Sequence, residues 1–409
     1  MNQVQQVKVG SLVCGFGEDT WMEQSGGLEE RLQSLHEEIR EWPGLEHLHR
    51  IAVATYDARG ERVRTFVHSN VGPRPLEPLS GRLCDYPLLQ AVAETGRPWI
   101  DNAIMSAPGS TGPGGRLLKH GFRSRCVSRI HWQGDLYGFL FLNSRKEGFF
   151  TEPIVSALMP YRRVIGVLVA SEMTSTRAML AAVHTALEVS HYRDEETGAH
   201  LNRMSRYAQL VAARIASKHG LSDEFIEYVL QYAPLHDVGK VAVPDSILLK
   251  PGKLSPDEFE VMKTHVTKGL DIINAMIHDR GLGALPHAAI LRNVVACHHE
   301  AFDGSGYPNG LSGVAIPLEA RIVAVADVFD ALTSERPYKG AWTNEAAATF
   351  LREQAGRKFD PDCVAALLVD MSAIAAIQQQ FRDIPSARLW PILGSVDQAC
   401  IQKSGSLAT

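Results

Sequence analysis

What the chain lacks narrows its class first. Its opening residues, Met1-Asn2-Gln3-Val4-Gln5-Gln6, form no basic-then-apolar leader. The longest apolar run, Val164 to Ala170, is far short of the ~20 residues a spanning helix needs. The expectation is a soluble, cytoplasmic chain with no membrane segment. There is no long basic run and the net charge is −5, so long nucleic acid is not an expected partner. A small anion held by a few local cations remains compatible with that balance. Nor is there a C-x-x-C: Cys14, Cys84, Cys126, Cys297, Cys363 and Cys400 are widely spaced and read as reduced thiols. With no clustered thiolates, a structural zinc site is disfavoured.

What is present is ordinary globular composition, 45% hydrophobic and 21% charged over 409 residues, enough for two or three cores. Residues 1–26 are polar and carry no readable pattern. Leu28, Leu32, Leu35 and Ile39 follow helical spacing up to Pro43-Gly44. Arg50 to Tyr56 and Arg62 to Val67 read as a hairpin, Leu88 to Glu94 as a short helix, and Arg125 to Trp132 with Leu136 to Leu142 as a second hairpin. Between them, Pro108 to Gly115 reads as a mobile loop. From Tyr161 to His191 a single helix is expected. Val169, Met173, Thr176, Leu180, Val183 and Leu187 repeat at alternating spacings of four and three, a narrow seam suited to pairing with a second copy.

The second half carries the chemistry. In Glu196-Thr197-Gly198-Ala199-His200, the acid and the imidazole are four apart, which on a helix sets them on one face ~6 Å from each other. His236-Asp237-Val238-Gly239-Lys240 adds a second pair, followed by His265, His298-His299 and Asp327. These are five imidazoles and three carboxylates, more than one ion of four to six ligands can use. Two or three divalent ions sharing a site is the natural reading. Neighbours on a helix point ~100° apart, so His236-Asp237 and His298-His299 would each serve adjacent metals. Each ligand falls on or at the end of a different predicted helix of a bundle, where inward side chains can build such a core. No comparable constellation precedes residue 190.

These motifs, with Glu300, Asp303-Gly304-Ser305-Gly306-Tyr307-Pro308 and Arg336-Pro337-Tyr338-Lys339, resemble the HD-GYP phosphodiesterases, a branch of the HD metal-dependent phosphohydrolases. The resemblance runs from about Leu180 to Leu368 and continues through Ala326-Asp327-Val328-Phe329-Asp330 and Phe359-Asp360-Pro361. Glu94-Thr95-Gly96-Arg97-Pro98, Gly121-Phe122-Arg123-Ser124 and Gly138 to Leu142 resemble a GAF domain, whose pocket often takes a small ligand. The implied organisation is a polar segment 1–26, an α+β GAF-like sensor 27–160, a connecting helix 161–191, an all-α HD-type bundle 192–385 and a tail 386–409.

The resemblance implies hydrolysis of cyclic di-GMP to linear pGpG, with GMP as the product of a further step. It makes Glu196, His200, His236, Asp237, His265, His298, His299 and Asp327 metal ligands, with Asp237 the bridge and the ions iron or manganese. Lys240 would touch a phosphate oxygen beside the reacting centre. Gly306 would let the loop approach the ligand, Tyr307 would stack on a guanine, and Arg336 and Lys339 would meet phosphates. Glu300 and Asp330 are candidates to orient ligands. The 303–313 loop is a candidate surface for protein partners. Two rivals stand beside this reading: an HD phosphohydrolase acting on another nucleotide, and a non-catalytic receptor that binds the dinucleotide and recruits partners. A cyclic dinucleotide other than cyclic di-GMP would suit the same apparatus.

Overall fold

The structure is a computed structural model. It describes residues 27–58, 61–72, 79–105, 113–191, 198–279, 287–335 and 340–382, with the backbone alone at 113, 175, 177–191, 278 and 279. The chain divides into two compact units, Met1–Ala178 and Met179–Thr409.

In the first unit, α1 (Leu28–Glu41) buries Leu28, Leu32, Leu35 and Ile39, the expected stripe. The strands β1 (Arg50–Asp57), β2 (Arg62–Asn70) and β3 (Ser80–Arg82) precede α2 (Pro87–Thr95), β4 (Trp99–Asp101) and α3 (Pro113–Lys119). Then come β5 (Ser124–Trp132) and β6 (Asp135–Ser144). All pairings are antiparallel, in the order β3-β2-β1-β6-β5-β4. This is the α+β architecture expected of the sensor-like half. On one face α2 contributes Leu89 and Val92 to a cluster with Ala54, Val63, Val127 and Phe139. Cys126 is a buried free thiol whose pKa is pushed up by burial, in keeping with a packing role.

Three expectations are corrected here. Pro113-Gly114-Gly115 opens α3 rather than closing a loop: proline suits a first helical turn, and Leu117 is buried against Ile104 and Phe122. Residues 108–112 of the expected loop lie outside the described residues. The long helix α4 (Glu152–His191) begins at Glu152 rather than Tyr161, running through Pro160, where proline more often ends a helix. Its seam is also partly occupied within the chain: Val169, Met173 and Thr176 are 1%, 7% and 2% exposed. There α4 is tied down by Tyr137 Oη to Thr174 Oγ1 at 2.9 Å and by an Arg31–Glu172 ion pair to α1. The side chains of Leu180, Val183 and Leu187 lie outside the described residues. One stretch of α4, Glu152–Thr174, has the length and apolarity of a membrane-crossing helix.

The second unit is helical: α5 (Gly198–His219), α6 (Asp223–Tyr232), α7 (Asp245–Leu248), α8 (Pro256–Asp279), α9 (Ala288–Cys297), α10 (Leu318–Thr333), α11 (Asn344–Gln354), α12 (Pro361–Leu368) and α13 (Met371–Gln380). The Ser222 hydroxyl caps α6 by accepting from Phe225 N. Ser255 and Glu258 form a reciprocal capping box at the start of α8, fixing where His265 falls along it. At the centre α5 packs on α10, with Tyr207 edge-on to Phe329 at 5.4 Å.

One buried group of the first unit titrates in a useful range. His36 on α1 donates Nε2–H to the Leu48 carbonyl at 3.1 Å, and its Nδ1 accepts from Ser69 Oγ at 2.8 Å. Burial pushes it from 6.5 down to about 4. Between those values the unfolded chain binds the extra proton, so stability falls as pH drops. The loss by about pH 4 is on the order of 3 kcal/mol. Hydrogen exchange of the β1 and β2 amides should show it, and His36→Gln should flatten the slope. Identical slopes for wild type and variant would remove His36 as the cause.

Candidate metal centre and substrate site

The site is built by short-range backbone geometry. After α6, a 3-10 turn Ala233–Leu235 delivers His236 and Asp237, and a second one, Val238–Ala242, carries Lys240. This second turn presses onto α8 at Gly239. A Cβ there would sit 1.8 Å from the His265 carbonyl oxygen and 2.4 Å from Gly269 N, so a larger residue would force the two elements apart. Asp237 is thereby brought beside His265. From the end of α9 come His298 and His299; from α5 comes His200, and from α10 Asp327.

Seven of the eight expected ligands converge. Asp237, His265, His298 and His299 each offer a ligand atom within 4.8 Å of the others, and His200, His236 and Asp327 form a second such group. Glu196 lies outside the described residues. The carboxylate of Asp237 joins the two groups. Its Oδ1 is 3.1 Å from His265 Nε2 and 3.5 Å from His298 Nε2. Its Oδ2 is 3.2 Å from His236 Nε2 and 3.0 Å from Lys240 Nζ. His236 Nε2 in turn lies 3.9 Å from Asp327 Oδ1, and His200 Nε2 lies 3.7 Å from the same oxygen. Of the two doublets, one follows expectation and one does not. His236 and Asp237 divide between the groups, whereas His298 and His299 serve one, because they lie just past the last turn of α9 with ring centroids 4.1 Å apart.

Four of the imidazoles are oriented from behind. Nδ1 of His236 is bound to the Ala233 carbonyl at 2.9 Å, that of His265 to Met262 at 2.8 Å, and that of His298 to Val294 at 3.1 Å. A carbonyl only accepts, so Nδ1 carries the proton and Nε2 presents a lone pair to the site. His200 instead meets a carboxylate, Asp330 Oδ2, at 2.8 Å. Asp330 is wholly buried and takes Arg203 Nε at 2.8 Å, Arg203 Nη2 at 3.0 Å and Ser334 Oγ at 2.9 Å. Burial alone would raise the Asp330 pKa; the donors from His200 and Arg203 hold it down. Arg203 escaped the sequence reading, although its place one turn after His200 on the same helix was the available signal.

The electrostatics suit cations. Burial favours a neutral Asp237, yet the Lys240 ammonium beside it, the largest opposing influence, holds its pKa well below the ordinary carboxylate range. Burial lowers His298, and lowers His299 to about 2. An ionised carboxylate among neutral imidazoles is the protonation state metal binding demands. Buried Nε2 of His265 and His298 and Oδ1 of Asp237 make no hydrogen bond of ordinary geometry. Nitrogen and oxygen donors aimed at a common point, held from behind and short of hydrogen-bond partners, fit divalent ions of the borderline or hard kind.

Beside the metal-type groups lies the glycine loop. Glu300, 5% exposed, accepts from Asn309 N at 2.7 Å and Leu311 N at 2.9 Å, so its role is to clamp the loop. Gly306 rests on that clamp: a Cβ would meet Ala301 N at 2.1 Å. Tyr307 follows, its ring 4.8 Å from that of His299 and tilted 31°. Arg336 and Lys339 lie outside the described residues.

Comparison with known proteins fits this geometry. Residues 195–363 match the family model described as HD domain. That stretch is an HD domain. Over 209 residues the chain is 51% identical to the cyclic di-GMP phosphodiesterase response regulator RpfG of Xanthomonas campestris pv. campestris, covering 50% of each chain. It is 42% identical over 217 residues to a cyclic di-GMP phosphodiesterase of Vibrio cholerae, covering 52% of this chain and 43% of that one. It is also 44% identical over 191 residues to the Vibrio cholerae 3'3'-cGAMP-specific phosphodiesterase 2, covering 47% of this chain and 34% of the relative. The chain thus spans half the length of these curated relatives or less. Among solved structures, a GAF domain/HD domain protein from Geobacter sulfurreducens aligns at 15% identity with a TM-score of 0.28, covering 35% of this chain and 93% of that one.

The HD domain's orientation of His200 is directly testable. Asp330→Asn keeps the volume of the side chain but removes the carboxylate from His200 Nδ1. Bound-metal affinity should fall about 10- to 100-fold with the circular dichroism of the fold retained. Unchanged affinity, measured by elemental analysis across a chelator series, would show that Asp330 serves the core alone.

Proposed function

We propose that this chain is a phosphodiesterase of the HD-GYP branch, hydrolysing cyclic di-GMP to linear pGpG and onward to GMP where the second step proceeds. The observation that carries the reading is the Asp237 carboxylate standing between two groups of metal-type ligands inside an HD domain. Relatives at 51% and 42% identity named as cyclic di-GMP phosphodiesterases support the substrate class. Two or three divalent ions, iron or manganese, are the proposed cofactors, held by Asp237, His265, His298 and His299 and by His200, His236 and Asp327, with Glu196 as the eighth ligand. When bound, such ions supply Lewis acidity that activates water and offsets charge on a phosphodiester.

The rest of the work belongs to the chain's own groups. Asp237 and its imidazoles hold their lone pairs toward one point at no cost in reorganisation. Lys240, whose Nζ lies 3.0 Å from Asp237 Oδ2, would offer its ammonium to a phosphate oxygen. Tyr307 stacks on a base, and Arg336 and Lys339 meet the phosphates. The GAF-like unit regulates, taking a small ligand, and the whole acts in the cytoplasm with the 303–313 loop open to protein partners. A second reading has its own support: the relative at 44% identity is specific for 3'3'-cGAMP, so a mixed purine dinucleotide is the competing substrate.

Asp237→Ala should lower kcat by about a thousandfold or more, whereas Tyr307→Ala should raise KM about tenfold, since stacking acts on ground and transition states alike. Chromatography of products after incubation with cyclic di-GMP reads the first point. Binding without turnover by the metal-loaded wild type would turn the reading into that of a receptor.

Self-pairing, on this view, belongs to the outer part of the α4 seam. Light scattering of Leu180→Lys/Leu187→Lys should fall to the 44.9 kDa monomer from twice that mass. Equal masses for variant and wild type would leave the seam without a pairing role.

A further inference from the structure

One group of side chains near the metal-type ligands has no part in the scheme so far. Phe259, in the first turn of α8, is 46% exposed. A single exposed apolar residue is unremarkable, but this one is not isolated. Its ring lies edge-on to that of Tyr307, with centroids 6.3 Å apart at 82°. Tyr307 in turn adjoins His299 at 4.8 Å, so three rings run in a row from the ligand group outward to solvent. Lys263, one turn after Phe259, sets its ammonium 5.4 Å from the Phe259 centroid and 5.6 Å from that of Tyr307. Its Nζ is also 2.6 Å from Glu260 Oε1, which is exposed. The same helix carries His265 two residues further on, and the capping box at Ser255 and Glu258 fixes the register of all three.

An edge-on pair of rings leaves an open corner bounded by two π-surfaces, and a cation at its base adds a donor. That combination suits a flat, electron-rich heterocycle with acceptors on its edge. Guanine offers O6 and N7 together, whereas adenine places a donor beside N7, which an ammonium cannot accept. Resting on the phosphodiesterase reading above, we propose that Phe259 and Lys263 form the outer base subsite of this enzyme. Phe259 supplies affinity for a purine and Lys263 favours guanine over adenine there. The subsite thus bears on which cyclic dinucleotide the enzyme prefers.

Steady-state kinetics on the full-length, metal-loaded protein test this with three substrates: cyclic di-GMP, 3'3'-cGAMP and methyl p-nitrophenyl phosphate, a diester with no base. Phe259→Ala should raise KM for both dinucleotides about tenfold, the effect falling in KM rather than kcat, and Phe259→Trp should restore it. Its loss in kcat/KM on the dinucleotides should exceed that on the simple diester at least about fivefold. Lys263→Met should reduce the preference for cyclic di-GMP over 3'3'-cGAMP about tenfold. A Phe259→Ala enzyme with KM within twofold of wild type, or one equally impaired on the simple diester, overturns the subsite. An unchanged preference in Lys263→Met overturns the guanine assignment. A wild type that turns over neither dinucleotide overturns the phosphodiesterase reading, and this inference falls with it.

Discussion

The second unit is organised around one carboxylate. Asp237 meets three imidazole nitrogens within 3.5 Å and a lysine at 3.0 Å. Removing a carboxylate from water favours its neutral form, and only neighbouring cations or donors can reverse that. Here the Lys240 ammonium does so, and the ionised group persists where burial alone would have cost it its charge. Remove the anion, and the histidines around it face one another with no common partner. The arrangement therefore leaves buried polar atoms of Asp237, His265 and His298 short of partners as a core, and suits cations as a site.

Such a site works only if its donors are fixed beforehand, and the backbone does most of that. His236 is held by a carbonyl three residues back, as is His265, and His298 by carbonyls three and four back. A helix turn or 3-10 turn thus supplies these three imidazoles with their own acceptors, and their tautomer follows from local structure. His200 is held differently. Its partner Asp330 comes from α10, and Arg203, which clamps that acid, also donates to the Phe381 carbonyl at 2.9 Å just past α13. The packing of α5 on α10 and the closing of the bundle by α13 therefore meet at one ligand. Stability of the fold and orientation of the site are not separable there.

How much of this was legible depended on whether a signal was local. His236-Asp237 and His298-His299 carry their chemistry in adjacent letters, and helical spacing placed α1 without tertiary knowledge. The second layer was legible only in part. Asp330 stood out as a candidate to orient ligands, and Arg203 shares a helix face with His200. That the two, 127 residues apart, pair with each other is written in neither neighbourhood. The division of ligands into groups was likewise hidden. It depends on where α9 stops, and doublets on a continuous helix would have pointed apart. In the first unit, proline misled twice for opposite reasons. Pro113 starts a helix that its glycine neighbours disguise, and Pro160 sits inside one where it suggests a boundary. The α4 seam showed a further ambiguity, since a stripe of alternating four and three spacing looks the same whether its partner is another chain or its own unit. Burial of Val169, Met173 and Thr176 decides that only for the inner half.

The loop from Asp303 to Gly313 shows why rigidity matters as much as composition. Its glycines would suggest freedom, yet the segment is tethered along its length. Glu300 accepts from Asn309 and Leu311, Phe302 and Asp303 donate to the carbonyls of Lys358 and Arg357, and Gly313 N reaches back to Phe302. Leu311 and Ile316 close over Cys297 and Ala320 as an apolar underside. Glycine at 306 is thus spent on close approach to the Glu300–Ala301 backbone rather than on mobility. Tyr307 is held in place ahead of any ligand, and a ring already fixed loses little further freedom on stacking. Because the same Glu300 follows His299 directly in the chain, the clamp that orders the loop also fixes the distance from Tyr307 to the metal-type ligands. The Tyr307 ring is therefore measured off against the ligand group by a single buried acid.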